Sequence, residues 1–133
     1  MKLHALVASA AALTLALSAP AKAGDVNRDF IALMSISYVV NMKCERYEFL
    51  DNAARRSADK MGADFDTYAP AALNAIMAIM DHEYDRTKLI PEVTKKVRAD
   101  LDELVDDLKK RGLAGFCKRY GTVMVNVNWM RTK

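Results

Sequence analysis

Two cysteines, Cys44 and Cys117, constrain this chain most, and what they can do depends on where it folds. Residues 1–23 bear on that. Lys2 gives a short positive start, and an apolar stretch rich in Ala and Leu runs from about Leu6 to Leu17. Pro20 breaks any helix, and Ala21-Lys22-Ala23 is a small-x-small cleavage site. These are the parts of a secretory signal peptide. The apolar stretch falls short of the roughly 20 residues that a membrane span needs, and no Cys follows the cleavage site to carry a lipid. The expectation is a periplasmic or secreted protein with a signal peptide at 1–23 and a single domain at 24–133.

In an oxidising compartment two cysteines allow one intramolecular pairing. A Cys44–Cys117 disulfide would close a loop of about 73 residues, worth roughly 4 kcal/mol in the chain-entropy model. A domain of this length buries only about two-thirds of its unfolded surface, so such a staple matters. A metal pair would want further Cys or nearby His, which the sequence does not supply.

Composition removes other classes. Hydrophobic residues make up 52% and charged residues 28% of the 133, too apolar for disorder. Cleavage after Ala23 takes Lys2 and Lys22 from the 20 basic residues and none of the 17 acidic ones, leaving a net charge of +1. A near-neutral chain offers no electrostatic footprint for nucleic acid or an anionic membrane.

The periodicity is helical. Asp25 and Asn27 are candidate N-caps for a first helix near 27–45, apolar nearly all round from Phe30 to Met42 and therefore a buried one. A second stripe, Tyr47, Leu50, Ala54, Ala58 and Met61, predicts a helix over 46–61 stopped by Gly62. Nothing between Cys44 and Tyr47 breaks a helix, so these two read as separate or as one bent helix. After a turn at 64–69, Pro70 opens a third helix with Leu73, Ile76, Met77, Met80 and Tyr84 on its apolar face. Pro91 opens a fourth, with the stripe Val93, Val97, Leu101, Leu104, Val105 and Leu108, capped by Gly112. Glu92–Lys96, Asp106–Lys110 and Asp107–Arg111 are acid-before-base pairs on its outer side. Residues 122–129 alternate like a strand but also space as a helix face. With no second strand to pair with, helix is the better reading. The fold expected is all-α, a compact orthogonal bundle of four to five helices stapled by one disulfide.

The chemistry-bearing residues are few. His82 is the one histidine left after cleavage, which excludes sites needing two. Ser35 and Ser37 lie in the apolar first helix, where hydroxyls bond back to a carbonyl one turn earlier, and no serine sits at a nucleophile elbow. Every Asp and Glu reads onto a charged face or turn, not an apolar pocket that would raise a carboxyl for glycoside hydrolysis. There is no phosphate-binding glycine loop and no haem attachment motif. Asp81, His82 and Asp85, with Met77 and Met80 one turn earlier, form the one concentrated group of metal-ligand types; a solvated helix end explains it better. No cofactor is implied.

Cys44 at the end of a first apolar helix, followed by Phe116-Cys117-x-x-x-Gly121 leading into a short last helix, resembles small exported bacterial helical families. That resemblance implies a compact helical fold with one disulfide and carries over no catalytic residue. The function expected is that of a non-enzymatic interaction protein: chaperone-like, inhibitor or immunity module, or accessory subunit of an envelope complex. Its partner is then a protein of the cell envelope or a second copy. The alternative is a small-ligand or metal carrier using Met77–Asp85. For the single Trp two readings stand. Val125 and Trp129, four apart on a helix, form an exposed patch that docks a partner; or Trp129 folds back onto the first helix and completes the core.

Overall fold

In the computed structural model, residues 23–133 are described, so the expected signal peptide lies outside the described residues apart from Ala23. Helix α1 (Ala23–Lys43) is the central element and packs against every other helix. Its burial follows from its composition: Phe30, Ile31, Ser35, Ser37, Val39 and Val40 are all buried. Ser37 satisfies its hydroxyl on the Met34 carbonyl at 2.8 Å. Asn27 does not cap α1. It lies in the second turn, and its Oδ1 accepts from the Asp64 N–H at 2.9 Å, joining α1 to the start of a later helix.

The chain leaves the helix at Cys44, and the predicted helix over 46–61 is corrected in its first half. Tyr47–Phe49 form strand β1. Helix α2 (Ala53–Met61) starts only after Asn52, which takes a left-handed turn conformation at φ 55°. The partner of β1 is β2 (Met130–Thr132), antiparallel, with Tyr47 opposite Thr132, Glu48 opposite Arg131 and Phe49 opposite Met130. Arg131 and Glu48 add a 2.7 Å ion pair across the ribbon. Residues 122–126 are helical, as expected, but the premise that the chain holds no second strand is corrected, because the ribbon forms just beyond them at 130–132. Two three-residue strands are too short to show a period, and their pairing spans most of the chain.

Helix α3 (Phe65–Ile79) begins earlier than Pro70 predicts. Asp64 caps it, accepting from the Thr67 N–H at 3.2 Å. Pro70 sits inside its second turn, where its missing N–H leaves the Asp66 carbonyl without a helical donor. The predicted apolar face of α3 is also rotated. Ala69, Ala71, Ala72, Ala75 and Ile76 are buried, while Leu73 is 44% exposed. Small side chains let α3 approach its neighbours closely, and the larger Leu73 is left on the outside. The helix ends at Ile79, five residues short of Tyr84, and a single 3-10 turn (Arg86–Lys88) follows.

Helix α4 (Pro91–Asn126) is two helices in one. Gly112 has φ 74° and ψ 168°, a conformation that costs an L side chain. It divides α4 into α4a (91–111) and α4b (113–126), as the predicted cap at Gly112 implies. Val93, Val97, Leu101 and Leu104 are buried as the stripe predicts, whereas Val105 is 46% exposed. Asp107 clamps the kink. It accepts from Arg111 Nε at 3.0 Å and from the Tyr120 hydroxyl of α4b, with Arg119 at 3.9 Å. Lys96 pairs with Asp100 at 2.7 Å, not with Glu92 as expected.

The fold is thus all-α in its packing, with four helices and a small ribbon among the described residues. The Cys44–Cys117 disulfide is present, with Cα atoms 5.6 Å apart, and fastens the end of α1 to α4b. One turn after Cys117, Gly121 meets the Tyr47 ring. A Cβ built there would lie 2.2 Å from Tyr47 Cζ, so only glycine lets β1 seat on α4b.

Candidate functional site

The most apolar concavity runs between α1 and α3, with the ribbon at one end. Its inner part, about 250 Å³, is lined by Met34, Tyr38, Phe49, Leu73, Ile76 and Trp129 among others. Its outer part, about 380 Å³, shares Met34, Ala54 and Leu73 and continues past Phe65 and Pro70 to Asp85 and Lys88. Both parts bound one groove.

The local folding explains this lining. The alanine face of α3 turns Leu73 outward, and the strand geometry of β1 leaves Phe49 45% exposed. These two large side chains stand at the rim, and Met34 of α1 is half-buried between them. Phe30 sits in the core behind, its ring 5.9 Å from Trp129 and 6.1 Å from Phe65. The groove carries little net charge. Arg55 lies 4.3 Å over the Phe65 ring and 3.5 Å from Asp66. At the far end Asp85 accepts from the hydroxyl and N–H of Thr87, which hold its carboxyl below the usual carboxylate range, helped by Lys88.

A second, more polar notch of about 220 Å³ lies across α1, between Ala32 and Ile36 on one side and Lys96, Asp100, Glu103 and Tyr120 on the other. Asp100 Oδ1 is taken by Lys96, and its buried Oδ2 has no partner. Tyr120 belongs to the kink clamp. Burial, then its bond to Asp107, pushes the Tyr120 hydroxyl up, and that same bond is the main reason Asp107 is held down. The pair works as a structural tie.

The residues singled out in the sequence separate into three outcomes. Cys44 and Cys117 come together as expected. Val125 and Trp129 do not form an exposed patch: Trp129 is 1% exposed and packs at a tilt against Phe30 of α1, and Val125 is half-buried. The helix that would have placed them on one face ends at Asn126, and Asn128 turns the chain at φ 62°. Asp81, His82 and Asp85 do not share a helix face, because α3 ends before them and Asp81 is itself a turn residue at φ 64°. All three are exposed, and no group of three metal-ligand side chains gathers among the described residues. Sequence reasoning missed Met34, Phe49 and Leu73 as groove residues. Leu73 read as core because its spacing with Ile76 and Met77 is right for a stripe. The alanine run Ala69, Ala71, Ala72, Ala75 was the signal for a closely packed face elsewhere on α3.

No family model, no curated protein and no solved structure matches this chain.

Proposed function

We propose that this chain is an exported, periplasmic or secreted interaction protein that works by binding and not by catalysis, as a chaperone-like, inhibitor or immunity module or as an accessory subunit of an envelope complex. The observation that carries this reading is the apolar groove with Phe49 and Leu73 exposed at its rim. Large apolar side chains with a polar rim are the ordinary makeup of a protein contact surface. Several of the hydroxyl and thiol groups weighed for chemistry are otherwise engaged, the buried Ser35 hydroxyl excepted. Ser37 bonds back to its own helix, Ser57 turns to Met61 Sδ at 3.5 Å, and both cysteines are in the disulfide.

The test is capture from a periplasmic extract with wild-type protein beside Leu73→Asp. A stoichiometric protein partner, held by wild type and lost by the variant, is the expected result. A partner held equally by both would remove the groove from the reading. The alternative, a small-ligand carrier, draws support from Asp85 and Lys88 closing the outer end of the same groove. A low-mass ligand retained through purification and seen by native mass spectrometry is its signature.

A further inference from the structure

The two halves of the disulfide do not stand alike in the fold. Cys44 closes the end of α1 and is 3% exposed, whereas Cys117, midway along α4b, is only half-buried. Cys117 lines a cavity of about 380 Å³. Leu113 and Ala114 of α4b bound it from one element, and Lys43, Glu45 and Arg46 bound it from the end of α1. The Lys43 carbonyl oxygen lies 3.9 Å from Cys117 Sγ. Leu113, the first residue beyond the Gly112 kink, is 54% exposed, the most of any large apolar side chain among the described residues. This cavity shares no lining residue with the apolar groove.

The charges at the cavity favour an anion. Lys43 and Arg46 stand against the single carboxylate of Glu45, and among the described residues none of the three makes an ion pair. The attacking species in thiol–disulfide exchange is a thiolate, and the sulfur it can reach decides the product. Packing closes Cys44 to a thiolate, and the cavity opens Cys117. Cations beside the bridge draw the thiolate in and also stabilise the one that leaves. The leaving sulfur needs that help. The Cys44 N–H donates to the Val40 carbonyl, so Cys44 sits at the C-terminus of α1, where the helix dipole opposes negative charge. Lys43 and Arg46, on either side of it in the chain, offset that opposition.

We propose that this cavity is a thiol-exchange site, in which a low-mass anionic thiol lies against Leu113 with its charge toward Lys43 and Arg46 and attacks Cys117 Sγ. A new sulfur–sulfur bond forms between the incoming sulfur and Cys117. The Cys44–Cys117 bond breaks, its electron pair leaves on Cys44 Sγ, and that thiolate takes a proton from solvent. The incoming thiol is oxidised to the mixed disulfide as Cys44 is reduced to a thiol, so electrons balance with no further reagent. Cys117 is then a modification site for thiols bearing a carboxylate or sulfonate, and the end of α1 is no longer fastened to α4b.

The test treats the folded, oxidised protein with 2-mercaptoethanesulfonate, an anionic thiol, and with cysteamine, a cationic one, at one pH and ionic strength. Free thiols are trapped by alkylation at intervals, and the adduct is located by peptide mass mapping. Each rate is divided by that reagent's rate with hydroxyethyl disulfide, which cancels the difference in thiol basicity. The expected first product carries the reagent on Cys117 and the alkyl group on Cys44. The sulfonate should be preferred by roughly three- to tenfold. The double variant Lys43→Gln/Arg46→Gln should lose that preference and keep its melting temperature, because both side chains are exposed. An adduct on Cys44, or one shared equally between the two cysteines, overturns the proposal. So do equal normalised rates for the two reagents, a preference that survives in the double variant, and a rate that does not rise with thiol concentration, the mark of exchange only after unfolding.

Discussion

The two halves of α4 are neighbours in one helix, yet different physics holds them. In α4a a stripe of Val93, Val97, Leu101 and Leu104 faces the core, and the opposite face is charged. Its contribution is spread over many similar contacts. In α4b only Phe116 and Met124 supply buried apolar side chains, and single ties are added to them: one disulfide at Cys117, one close approach at Gly121, one hydrogen bond at Tyr120, and beyond its end one buried Trp129. The first half tolerates conservative change along its stripe. The second half depends on individual residues that have no substitute.

The largest expected effect belongs to the second region. Trp129→Ala should cost about 3–5 kcal/mol in urea unfolding, because a fully buried indole packed beside Phe30 leaves a large void. A loss below about 1 kcal/mol would mean that the end of the chain contributes little to the core. In the first half, Leu104→Ala should cost about 2–5 kcal/mol and Val105→Ala less than about 0.5, since Leu104 is 4% exposed and Val105 is 46% exposed. Equal losses at the two positions would show that the stripe has been placed on the wrong face. Gly121→Ala tests singularity directly. The added methyl must displace the Tyr47 ring, and overpacking of this sort costs roughly 1–3 kcal/mol. In the double variant with Tyr47→Ala that steric term should vanish, so the two changes should couple strongly; simple additivity would show that the contact is soft.

The smallest effect concerns the clamp between the halves. The Tyr120 hydroxyl is the first cause that lowers the Asp107 pKa, with Arg111 and Arg119 adding to it and burial opposing. A carboxyl held lower in the folded state contributes stability that is present above its unfolded pKa, near 4. That contribution fades as pH falls through the lower folded value. Asp107→Asn should therefore narrow the difference in melting temperature between pH 7 and pH 3, leaving the value at the acid end little changed. A variant with the wild-type pH profile would show that the clamp carries no proton linkage.

This contrast also explains what was legible in the residues. The helical class, the buried first helix, the α4a stripe, the break at Gly112 and the disulfide all follow from local periods, a turn-forming residue or a compartment rule. The ribbon does not, because Tyr47–Phe49 and Met130–Thr132 each carry too few residues for a pattern and meet only through tertiary structure. Pro70 misled because proline is common at the start of a helix, and here Asp64 caps the helix six residues earlier. The groove was illegible for a related reason. Leu73 has core spacing, and only the alanine face beside it shows which side of α3 is packed. For Trp129 the sequence left a surface patch and a core position both open, and periodicity has no means of seeing an indole donor left without a partner.

The disulfide has one more consequence, in the order of assembly. Along the backbone, Phe49 and Met130 are 81 residues apart. Through the Cys44–Cys117 bridge the path between them is five residues back to Cys44 and thirteen on from Cys117. Loop-closure entropy rises by about 0.6 kcal/mol for each doubling of length, so this shortcut makes the ribbon easier to close by about 1 kcal/mol. Oxidation thus acts as a ratchet. Once the bridge forms, β1 and β2 search for one another as the arms of a short hairpin, and the two-stranded pairing becomes a nearly local event in a chain whose sequence made it a distant one.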